Sequence, residues 1–129
     1  MGATYLLDTS AISKYIRGKL PVDSLDLIDD VLTSPLQLSV IVRIELLSWV
    51  TGDRGLDNDI RKFISGASLI DLSEPVIQQT VKLRRHYKGL KLPDAIIAAT
   101  AIVHDFTLLS TNDIDFQRIA DLNYQSLSS

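Results

Sequence analysis

Cysteine is absent from the 129-residue chain, which removes disulfide frameworks, thiolate metal sites and thiol nucleophiles together. That absence agrees with a reducing cytoplasm. No apolar run approaches the roughly 20 residues needed to cross a bilayer. The N-terminal MGATYLLDTS lacks the basic flank and long apolar stretch of a signal peptide, and Leu6 stands where a myristoylation motif needs Ser or Thr. A cytoplasmic protein without membrane attachment is expected. Positive charge has no surplus either: 13 Lys and Arg against 16 Asp and Glu leave a net −3. Contact with a nucleic acid would therefore depend on a local basic patch or on bound cations. There is no repeat, low-complexity tract or linker, and 46% hydrophobic residues in this length suit one domain spanning 1–129.

The chain alternates short apolar runs with amphipathic ones. Thr4 to Leu7 (TYLL) reads as a strand, and Asp8, Thr9 and Ser10 are capping residues that open a helix toward Arg17. Leu20 to Ser34 reads as a second helix stopped by Pro35. Leu36 to Ile41 suits a buried strand, followed by a helix through Glu45 and Trp49 that ends near Gly52. Beyond TGDRG come a helix to about Ser65, a strand at Ser68 to Leu72 and a helix from Glu74 to Tyr87. Leu92 to His104, LPDAIIAATAIVH, carries one acid at the head of an otherwise apolar run and is expected to be a buried helix. Thr107 to Ser110 is another strand, Asp113 to Ala120 a short helix and the last residues an edge strand. This alternation predicts a three-layer α/β/α domain with a mainly parallel central sheet, whose ligands gather at the carboxyl ends of the strands.

That rule gives four acids one address. Asp8 follows the first strand directly, Asp113 follows TLLS, Glu45 lies just inside the helix after the second strand, and Asp94 heads the apolar run. Each taken singly has a structural use. Asp8, Asp94 and Asp113 can cap helices, and Glu45 can pair with a distant Arg. A cap contributes only about 1 kcal/mol, however, and does not ask four acids to share one end of a sheet. Glu45 has no cation three or four residues away, which is unusual for an acid in an apolar stripe. Crowded carboxylates repel unless a cation lies between them. Oxygen donors without Cys or paired His favour Mg²⁺ or Mn²⁺, and such a centre serves phosphodiester hydrolysis.

The chain resembles PIN-domain ribonucleases of the VapC toxin type nearly end to end. The motifs are YLLDTSAI at 5–12, SVIVRIELL at 39–47, LPDAIIAATA at 92–101 and LLSTNDIDF at 108–116. The resemblance implies a metal-dependent endoribonuclease acting on single-stranded or loop RNA. It carries the metal-ligand and catalytic roles onto Asp8, Glu45, Asp94 and Asp113, with Asp115 a further acid and Ser10 and Thr111 supporting water or phosphate. Many relatives have Thr three residues before the Glu; Val42 stands there here, so no hydroxyl role is transferred. The resemblance also implies three partners: an RNA substrate, a cognate antitoxin protein and a second copy of the chain in a homodimer.

Lys82 to Lys91 is the densest basic stretch, and Arg84, Arg85, Lys88 and Lys91 are candidates for holding RNA phosphates, with Tyr87 as a stacking face. The same cations also complement a helix C-terminus. His86 and His104 form no spaced cluster with the acids and are read as surface or cap residues. Two other readings stay open. A phosphatase with Asp8 as nucleophile wants a second acid close behind, and Thr9, Ser10 and Ala11 supply none. A non-catalytic module that keeps the fold to bind RNA or protein would not require the metal.

Overall fold

The computed structural model describes residues 4–34 and 36–128. At its centre lies β1 (Tyr5–Leu7), an apolar triplet whose Leu6 and Leu7 are fully buried. It pairs in parallel with β2 (Gln37–Ser39) on one side and with β4 (Thr107–Ser110) on the other. β3 (Ser68–Ile70) and β5 (Asn123–Ser126) complete the order β3-β2-β1-β4-β5, every pairing parallel. The expected three-layer α/β/α sheet is present. Strands covered on both faces must be apolar throughout, and Leu6, Leu7, Leu108 and Leu109 meet that demand with no exposed surface.

Seven helices among the described residues flank the sheet. α1 (Thr9–Ile16) follows β1 without a linker, because Asp8 both ends the strand and caps the helix. α2 (Val22–Val31) is two residues shorter at its start and three at its end than the expected Leu20 to Ser34; Pro35, expected to stop it, lies outside the described residues. α3 (Val40–Ser48) begins inside the run read as strand Leu36 to Ile41. Ser39 Oγ accepts the Ile41 N–H at 3.3 Å, and this cap turns three consecutive β-branched residues helical once Val42 packs into the core. α4 (Arg54–Ser65) is capped by Asp53, whose Oδ1 accepts the N–H groups of Gly55 and Leu56 at 2.9 and 3.2 Å. Asp53→Ala should cost about 1 kcal/mol, read as a lower urea midpoint with an unchanged slope.

α5 (Glu74–His86) leads through Gly89, at φ 77°, to α6 (Leu92–His104). The buried side of α6 is made of Ala95, Ile97, Ala98, Ala99, Thr100 and Ala101. α7 (Asp113–Phe116) is one turn long, shorter than the expected Asp113 to Ala120. Beyond it the Ala120 N–H donates to Tyr87 Oη at 2.9 Å, while Phe116 is anchored fully buried. Among the described residues no helix is long and apolar enough to cross a membrane.

Candidate active site

Asp8, Glu45 and Asp94 border one open cleft of about 540 Å³ at the carboxyl edge of the sheet. They arrive there from the end of β1, from the second turn of α3 and from the first turn of α6. Asp8 is only 4% exposed. Its carboxylate accepts Ser110 Oγ at 2.6 Å, the Ala11 N–H at 2.9 Å and Ser10 Oγ at 3.1 Å, so a residue of β4 and the start of α1 fix its position together. Burial pushes its pKa up, those three donors oppose the rise, and the charge of Glu45 adds to it. Glu45 Oε1 accepts Thr9 Oγ1 at 2.6 Å. Thr9 is thus a positioning contact that the sequence signalled only by its place beside Asp8.

Asp94 caps nothing. The N-cap of α6 is Lys91, and no side chain makes a cap bond there. Burial raises the Asp94 pKa to about 6, reinforced by the charges of Asp115, Asp8 and Glu45 and opposed by Lys91. Four carboxylates therefore repel one another around this position, and among the acids the largest share comes from Asp115.

Asp113 is turned elsewhere. Its carboxylate accepts the hydroxyls of Tyr124 and Ser126 on β5, bonds that hold its pKa below the usual carboxylate range. Neither Asp113 nor Asp115 is part of the cleft lining. Asp115 accepts Asn112 Nδ2 at 3.0 Å and stands 3.6 Å from Arg118. Ser10 serves Asp8, and Thr111 borders the cleft while accepting Lys14 Nζ at 2.9 Å.

The basic stretch 82–91 is placed differently from the acids. Arg84 Nε donates to the Leu90 carbonyl, Arg85 borders a separate depression with Lys82 and Tyr87, and the Lys88 carbonyl accepts from Arg118. Only Lys91 of this group acts on Asp94. The cations on the cleft itself are Lys14, Arg17 and Lys19, which a search for dense basic runs passes over because they are spread along α1 and its exit. His86 packs edge-on against Tyr87 and His104 stacks on Phe106; neither borders the cleft.

The PIN domain family matches this sequence over residues 5–122. The chain belongs to the PIN domain family. As a PIN domain it is similar to a chain in VapBC2 from Rickettsia felis bound to a promoter DNA fragment, at 23% identity and TM-score 0.79, covering 95% of this chain and 97% of that one. It is similar also to a chain in DNA-bound VapBC from Salmonella typhimurium, at 20% identity and TM-score 0.79, over 98% and 99%. A toxin–antitoxin complex from Klebsiella pneumoniae contains a chain 28% identical, with TM-score 0.70, over 92% and 94%. No curated protein sequence matches significantly.

Among the described residues of this PIN domain, no three carboxylate or imidazole groups stand close enough to enclose a metal ion as placed. The donors nevertheless fit a hard divalent cation in kind. They are all oxygen and one is deeply buried; burial and then the neighbouring acids raise the pKa of Asp94, and a bound cation would relieve the repulsion.

Proposed function

We propose that this PIN domain is the toxin of a VapBC-type toxin–antitoxin pair, a cytoplasmic endoribonuclease that uses Mg²⁺ or Mn²⁺ to hydrolyse RNA phosphodiester bonds. The observation that carries the reading is the meeting of Asp8, Glu45 and Asp94, from three elements distant in sequence, on one cleft at the carboxyl edge of the sheet. The family match and the toxin–antitoxin neighbours support it. A cognate antitoxin and a second copy of the chain are its partners in this reading.

Asp8, Glu45 and Asp94 would hold the cation, with Asp115 as the fourth acid. Both acids have protein partners, Asn112 and Arg118 for Asp115 and Tyr124 and Ser126 for Asp113; Asp115 is preferred because its charge acts on Asp94. A bound divalent ion supplies the charge that activates water and neutralises the leaving oxygen. The protein's part is preorganisation. Ser110, Ser10 and the Ala11 N–H fix the position of the Asp8 carboxyl group at the cleft, and Thr9 does the same for Glu45.

The test incubates purified protein with structured cellular RNA in Mn²⁺ or in chelator. Cleavage in Mn²⁺ that stops in chelator, leaving 5′-phosphate and 3′-hydroxyl ends, is the expected result. Cleavage persisting in chelator would reject the mechanism, and calorimetry showing no Mn²⁺ binding would favour the non-catalytic module.

A further inference from the structure

The cleft that gathers the acids also has a basic wall. Lys14, Arg17 and Lys19 border it opposite in charge to Asp8, Glu45 and Asp94. Cations and carboxylates sharing one cleft would ordinarily pair. Here the only ion pair among the described residues is Arg118 with Asp115, and Lys14 donates to the neutral hydroxyl of Thr111. Three cations with no carboxylate partner, in a protein of net charge −3, are positioned to meet an anion brought from outside.

Trp49 adds a second chemistry to the same cleft. It is the single tryptophan of the chain, half-buried at the C-cap of α3. The indole borders the cleft and also a small hollow lined by Leu46 and Ile60, so it packs on the core while reaching open space. An aromatic beside unpaired cations is the pairing that grips a single nucleic-acid strand, with bases stacking and phosphates neutralised.

We infer that Trp49 stacks an unpaired base of the RNA while Lys14, Arg17 and Lys19 hold the flanking phosphates. This rests on the nuclease reading of the same site, and it makes these four side chains positioning residues. The basic stretch 82–91 is then not the principal contact.

Trp49 is its own reporter. Titrating single-stranded oligoribonucleotide in chelator, where no cleavage is expected, should quench its fluorescence; duplex RNA of the same sequence should not. Affinity of labelled RNA by anisotropy should fall roughly 5- to 150-fold in Trp49→Ala and much less in Trp49→Phe, which also guards against a folding defect. Lys14→Ala, Arg17→Ala and Lys19→Ala should each reduce the slope of log affinity against log salt by about 0.7, and the triple variant by about 2. RNA that binds without quenching, an unchanged salt slope, or quenching by poly-glutamate but not by RNA would each overturn the inference. The two readings fail separately. Mn²⁺-dependent cleavage with an unaltered KM in Trp49→Phe and Trp49→Ala sinks the stacking role alone, while quenching and salt slopes as stated without cleavage sink the nuclease alone.

Discussion

Asp94→Asn is expected to abolish cleavage while making the protein more stable at pH 7. On the proposed metal-dependent mechanism, replacing this carboxylate should cost on the order of 10³-fold or more in kcat/KM. The stability gain follows from linkage. The Asp94 pKa rises from 3.8 to about 6 on folding, so the folded state binds this proton more tightly than the unfolded state does. The group's favourable contribution is fully present below about pH 4 and is lost as pH rises through about 6. At full burial that shift corresponds to about 3 kcal/mol, and discounting for solvent around a half-exposed carboxylate leaves roughly 1–2 kcal/mol. Asparagine carries no charge to penalise. Its Tm in chelator should exceed that of the wild type by about 3–8 °C at pH 7, and the two should converge near pH 4. Mn²⁺ should narrow the gap by stabilising only the wild type. A variant less stable than the wild type at pH 7 would mean that the repulsion around Asp94 is already neutralised by the protein itself.

The second large effect separates two acids only two residues apart. Asp115→Asn is expected to reduce kcat/KM by about 10²-fold or more, because the Asp115 charge acts on Asp94 at the cleft. Asp113→Asn is expected to lose less than about 10-fold. Its cost appears in stability, about 1 kcal/mol, through weaker bonds from Tyr124 and Ser126 to a neutral amide. The sign with pH is opposite to that at Asp94. The Asp113 pKa is lowered on folding, so its contribution is present above the ordinary carboxylate range and disappears as pH falls below it. Steady-state kinetics with urea melts at pH 7 and pH 3.5 test both halves. Equal kinetic losses in the two variants would return Asp113 to the catalytic set.

Much of this arrangement is readable in the residues. Leu6, Leu7, Leu108 and Leu109 announce buried parallel strands because a strand covered on both faces has no polar side to show. Asp8 is both things its position suggests: it caps α1 through the Ala11 N–H and faces the cleft with the other acids. Capping and site-building coexist because one carboxylate oxygen serves the helix while the other takes Ser110. What the residues do not disclose depends on contacts between distant segments. Nothing local tells that Ser39 will end β2 and start α3 within Val-Ile-Val, since only Val42 entering the core overrides the strand preference. The orientation of Asp113 is set by Tyr124 and Ser126, more than ten residues away, and periodicity over TNDIDF gives two acids with no means of ranking them. Lys14, Arg17 and Lys19 escape notice for the same reason: their meeting place is defined by Glu45 and Asp94 on other elements.

The hydrogen bond from Ser110 to Asp8 spans 102 residues, and β1 sits between β2 and β4. During synthesis the first strand must wait, one edge open, until β4 has emerged about 100 residues later. A chain cut short of β4 therefore lacks the Ser110 hydroxyl that fixes Asp8 at the cleft.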